Sequence, residues 1–171
     1  MGNLDRQRVE EWLGRTRADL ATTAEAEERP LSDYACTFLG AIVGPGRAMF
    51  VQVGDGAIVV RDAGADGLSW VFWPQNGEFA NTTNFITQEN VAEILEVELT
   101  DTVPVELAMF SDGIERLVLD RATKTVHSPA LRPIFDWLAK TEVANEPSEP
   151  APGLVAFLNS NGVNSRTDDG A

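Results

Sequence analysis

The 171 residues predict an α+β fold in which antiparallel strands form stacked sheets flanked by helices. Two observations lead there. Apolar runs of strand length, several of them separated by Gly-containing turns, fill the middle of the chain. Segments near both ends carry apolar residues at helical spacing on one face only, so each expects a sheet beneath it. No internal repeat or long low-complexity tract interrupts them, and one domain over residues 1–171 is the expectation at this length.

The elements follow in order. Residues 5–28 read as a helix because Val9, Trp12, Leu13 and Leu20 fall on one stripe, and Pro30 stops it. Residues 34–43 are almost continuously apolar up to Gly44-Pro45-Gly46, which predicts a strand buried on both faces near a sheet centre. Residues 48–53, Gly54-Asp55-Gly56 and residues 57–61 together read as a hairpin, with glycine supplying the positive φ of a tight turn. Asp66-Gly67 turns the chain into a further strand over residues 68–73. Residues 74–84 read as loop and Phe85-Ile86-Thr87 as a short extended piece, whereas residues 92–99 fit strand or short helix equally. Residues 105–111 form an apolar strand that delivers Asp112-Gly113 at its end, and residues 114–119 begin a helical turn. Leu131, Ile134, Phe135 and Leu138 mark a helix over residues 129–140. An acidic, proline-rich connector at 145–152, a short helix at 153–159 and a polar tail at 164–171 complete the chain.

Composition narrows the chemistry. The chain is 43% hydrophobic and 23% charged, the balance of a globular protein. Its formal charge of −14 opposes nucleic acid and anionic lipid, which leaves no nucleic acid and no membrane among the expected partners. No apolar stretch reaches the roughly 18 residues of a membrane span. The first residues run into a charged segment without the apolar core of a signal peptide, so a cytoplasmic location is expected. One cysteine, Cys36, and one histidine, His127, supply neither an internal disulfide nor a zinc ligand set. His127 reads as a structural or surface residue.

Carboxylates carry the remaining signal. Asp55, Asp66, Asp112 and Asp169 each precede a glycine, a pairing that taken singly means a turn. Asp112 differs because a strand tip can fix a carboxylate at the edge of a core, and Asp168 with Asp169 form an adjacent acidic pair. Carboxylates converging from separate loops suit magnesium or manganese, hard cations that take oxygen ligands.

Five segments in order then resemble the metal-dependent protein phosphatases of type 2C, in their bacterial branch. They are Asp33-Tyr34-Ala35-Cys36-Thr37, residues 51–57 around Gly54-Asp55-Gly56, residues 77–85, Phe110-Ser111-Asp112-Gly113-Ile114-Glu115-Arg116-Leu117, and Ser165-Arg166-Thr167-Asp168-Asp169. The resemblance implies an antiparallel β-sandwich flanked by helices, and hydrolysis of phosphoserine or phosphothreonine in protein substrates by a water that Mg2+ or Mn2+ activates. It implies that Asp112 and Asp168 are metal ligands, with Asp169 and Asp55 as secondary candidates. Arg116 stands where the family often places an aspartate of a third metal site. The family's Asp-Gly-x-Gly motif, on strands before the first long helix, has no counterpart in these residues. The expectation is therefore a partial domain, short of those strands and of a closing C-terminal strand, with metal binding weakened accordingly. Three readings stay open: part of an active phosphatase, a catalytically inactive module that binds a phosphorylated partner, and a subunit whose sheets a partner chain completes.

Overall fold

The structure is a computed structural model that describes residues 4–75, 83–140, 155–156 and 159–161. Helix α1 spans Arg6–Ala26, and the Asp5 carboxylate caps it by accepting the Arg8 backbone N–H at 2.9 Å. That cap satisfies an amide with no partner inside the helix, a contribution of about 1 kcal/mol. Glu28, in the left-handed region at φ 53°, and Pro30 in extended geometry end the helix. Val9 and Leu13 are buried as the stripe predicts, while Trp12 stays 41% exposed at its margin.

Strands β1 (Phe38–Gly44) and β2 (Arg47–Val53) form a hairpin closed by Pro45 and Gly46, the latter at φ 76°. Next come β3 (Ala57–Arg61) and β4 (Ser69–Phe72). Residues 92–99, ambiguous in the sequence, contain both alternatives: α2 (Val91–Ile94) is followed by β5 (Glu96–Thr100). β6 (Glu106–Phe110) leads through a 3-10 turn at Asp112–Ile114 into α3 (Glu115–Val118). A small ribbon of β7 (Leu119–Asp120) and β8 (Thr125–Val126) then precedes α4 (Ser128–Lys140). Pro133 lies inside α4, where it removes one helical hydrogen bond.

Among the described residues all pairings are antiparallel, in the orders β1-β2-β5 and β4-β3-β6, with β7-β8 separate. Alternation along each strand then builds the layers. Met49, Val51 and Val53 face α1, packing on Val9 and Leu13. Ala48 and Phe50, on the opposite face of β2, meet Ile58, Val60 and Phe72 of the second sheet. Ala57 and Val59, on the outer face of β3, meet Leu117, Val118, Leu119, Leu131 and Phe135. The order is helix, sheet, sheet, helix, the predicted α+β sandwich.

Three expectations change. β1 begins only at Phe38, because Leu31–Tyr34 form a 3-10 turn, and it is an outer strand with Phe38, Ile42 and Val43 exposed. Among the described strands its apolar run is paired on one edge, and it is not buried at a sheet centre. Residues 48–61 are not a hairpin, because β2 bonds to β1 and β5 while β3 bonds to β4 and β6. Gly54-Asp55-Gly56 therefore carries the chain from one sheet to the other. Ile86 and Thr87 lie in a turn, where the Ile86 N–H donates to the Cys36 carbonyl at 3.0 Å. Of the expected helix at 153–159, residues 155 and 156 are helical and residue 159 lies in a turn; the others fall outside the described residues.

Candidate functional site

Strand register places the carboxylate candidates. Ala57 pairs with Phe110, so Asp55, two residues before Ala57, and Asp112, two residues after Phe110, leave the second sheet at the same end. Ile58 pairs with Phe72, which sends Trp73 and Gln75 out there as well. In the first sheet Phe38 pairs with Val53 and Gln52 with Glu96, so Thr37 and Glu96 also meet at that end. Segments that are far apart in sequence thus open onto one end of the sandwich.

Two glycines make the crossing between the sheets. Gly54 sits at φ 109°, and a Cβ there would lie 2.4 Å from Thr37 Cγ2. At Gly56 a Cβ would lie 2.7 Å from Leu39 Cδ1 and 2.9 Å from the Phe110 carbonyl oxygen. No larger residue fits either position without backbone movement. Asp55 between them is half-buried, and Asp112 is exposed.

Beside the crossing lies a polar knot centred on Gln75. Its carbonyl Oε1 accepts the Gly54 N–H at 2.8 Å and the Asn84 amide at 3.1 Å. Its Nε2 donates to the Ile94 carbonyl at 2.7 Å and to Glu96 Oε2 at 2.9 Å. Burial pushes the Glu96 carboxyl up from its ordinary value, and the Gln75 hydrogen bond partly offsets this. The knot ties the crossing turn to the start of β5. Buried Gln52 adds longer bonds from Nε2 to the Trp73 and Gly54 carbonyls, at 3.3 and 3.4 Å.

On the other flank Glu115, three residues after Asp112, is 3% exposed. Arg121 neutralises it with two parallel hydrogen bonds of 2.8 Å, Nε donating to Oε1 and Nη2 to Oε2. Both hydrogen bonding and charge from Glu115 hold the Arg121 guanidinium above its ordinary value, and the charge of Asp55 adds to them. The ribbon turn bearing Arg121 is fixed by Lys124: its carbonyl accepts the Trp70 indole N–H at 2.9 Å, and its ammonium sits 5.9 Å from the Trp73 ring centre.

Of the four predicted metal ligands, Asp55 and Asp112 arrive at one end of the sheets, while Asp168 and Asp169 lie outside the described residues, as do residues 77–82 of the third matching segment. Among the described residues no three carboxylate, thiol or imidazole groups gather closely enough to hold a metal. Asp55 and Asp112 are oxygen donors suited to a hard divalent cation, but two carboxylates fall short of a two-metal centre. His127 is exposed and its backbone N–H donates to the Val118 carbonyl at 2.7 Å. Cys36 is a free, exposed thiol. Sequence reading missed Glu115, Arg121 and Gln75. A carboxylate placed between Ile114 and the apolar run Leu117-Val118-Leu119 was the one available signal, since burying it demands a cation.

Among the described residues no helix is long and apolar enough to cross a membrane. Residues 3–159 match the family model described as protein phosphatase 2C. The chain is 41% identical over 154 residues to serine/threonine-protein phosphatase 3 of Escherichia coli (strain K12). That alignment covers 90% of this chain and 59% of the relative, so the chain spans less than two thirds of that relative's length. No solved structure matches.

Proposed function

The chain belongs to the protein phosphatase 2C family, and from that premise we propose that it forms part of a metal-dependent serine/threonine protein phosphatase acting on phosphorylated proteins. The observation that carries the reading is the convergence of Asp55 and Asp112 at one end of the sandwich, each delivered by a strand whose register is fixed over its whole length. We assign Mg2+ or Mn2+ as the cation, with Asp112 as a principal ligand, Asp55 as a secondary one, and Asp168 and Asp169 as the further carboxylates. When bound, such ions lower the pKa of a shared water and offset charge on a phosphoryl group.

The chain's own residues contribute position. Asp112 is exposed at a strand tip, so it can bind a cation that keeps waters toward substrate. Gly54 and Gly56 permit the close crossing that sets Asp55 at the same end. Gln75 holds the Gly54 amide and thereby the turn.

The alternative reading is a phosphatase-like module that binds a phosphorylated partner without turnover. Manganese-dependent hydrolysis of a phosphothreonine peptide separates the two. We expect turnover by the full-length protein, abolished by a chelator and lowered at least about a hundredfold by Asp112→Ala. Tight phosphopeptide binding with no hydrolysis under any divalent cation would establish the second reading instead.

A further inference from the structure

We propose that Arg121 is the cation that receives the substrate's phosphoryl oxygens at this site, with buried Glu115 as its positioning residue; the assignment of a phosphorylated ligand rests on the function proposed above. Glu115 engages Nε and Nη2 and leaves Nη1 without a partner among the described residues. The Arg121 side chain is 64% exposed although its carboxylate partner is 4% exposed. The pair is thus anchored at its base and open at its tip. A surface ion pair with both members in water holds neither in place, whereas a buried carboxylate with a single bidentate cation fixes the guanidinium plane.

Location gives this anchored cation its use. Glu115 follows Asp112 by three residues on the turn that leaves β6, and Arg121 lies close enough to Asp55 to respond to its charge. A phosphate dianion approaching this end meets a chain of formal charge −14 and needs a local cation to remain there. A guanidinium with free N–H groups matches two phosphoryl oxygens in one plane, which an ammonium does not. Lys124, on the same ribbon, is drawn over the Trp73 ring instead.

The test compares the full-length wild type with Arg121→Gln, Arg121→Lys and the double variant Glu115→Gln/Arg121→Gln, which removes the buried charge together with its partner and so protects folding. Arg47→Gln, exposed at the far end of the β1-β2 hairpin, serves as the charge control. Inorganic phosphate affinity, with and without manganese, is measured by calorimetry, alongside KM and kcat for a phosphothreonine peptide and the melting temperature. Arg121→Gln and the double variant should each weaken phosphate binding and raise KM by about ten- to a hundredfold, with kcat changed far less. Arg121→Lys should recover part of the loss, and Arg47→Gln should shift phosphate affinity less than about twofold. Equal phosphate affinity in the wild type and a folded double variant overturns the inference, whatever the turnover. So does a wild type that binds no phosphate. A wild type that binds phosphate through Arg121 yet hydrolyses nothing sinks the phosphatase reading and leaves this one standing.

Discussion

Glu106 on β6 and Arg132 on α4 are joined by two hydrogen bonds, of 2.9 and 3.2 Å, at the end of the second sheet opposite Asp112. Arg61, directly across the strand pair from Glu106, adds two more at 2.9 and 2.8 Å, so one carboxylate clamps β3, β6 and α4 together. The Arg61 hydrogen bonds, then those of Arg132 and the charge of both, pull the Glu106 carboxyl down from 4.5 to about 2 despite partial burial.

Acid should therefore loosen this clamp. A carboxyl whose folded pKa lies below its unfolded one stabilises the fold fully above pH 4.5 and loses that contribution as pH falls toward 2. Glu106→Gln should lower stability at pH 7 by about 1–3 kcal/mol and flatten the decline between those two pH values. Melting curves of both proteins across that range check it; parallel declines would refute the assignment.

The two sharp glycine turns should respond differently to alanine. Gly46, at φ 76°, has open space around a new Cβ, so Gly46→Ala should cost only the left-handed backbone strain, about 1–2 kcal/mol. Gly54→Ala adds contacts of 2.4 and 2.6 Å with the Thr37 side chain and should cost more, roughly 3 kcal/mol or beyond. Urea denaturation ranks the pair. A Gly54 variant as stable as the Gly46 one would show that β1 and the crossing turn yield to each other.

Gln75 gives a third test. Gln75→Leu keeps the bulk but leaves the Gly54 N–H and the Ile94 carbonyl without their side-chain partner, at a cost of roughly 1–3 kcal/mol. It also removes the hydrogen bond that offsets burial at Glu96, so the Glu96 pKa should rise further. Hydrogen exchange at the Gly54 amide should accelerate while amides in the middle of β3 keep their protection. Uniform loss of protection would mean global destabilisation instead.

Much of the fold was legible in the residues, because burial follows local spacing. Val9 and Leu13 sit one helical turn apart, and Phe50 and Val51 point to opposite faces, so helix stripe and strand alternation announced which side chains go inside. An apolar strand ending in Ser111-Asp112-Gly113 likewise announced a carboxylate at a strand tip. Strand partners carry no such local signature. Backbone N–H and C=O groups are alike at every residue, so nothing within residues 48–61 says that β2 and β3 join different sheets, or that β1 lies at an edge. Only the assembled sheets, by matching Ala57 to Phe110, bring Asp55 to the end that holds Asp112, and only the packed turn beyond β6 buries Glu115 deeply enough to fix the Arg121 guanidinium against it.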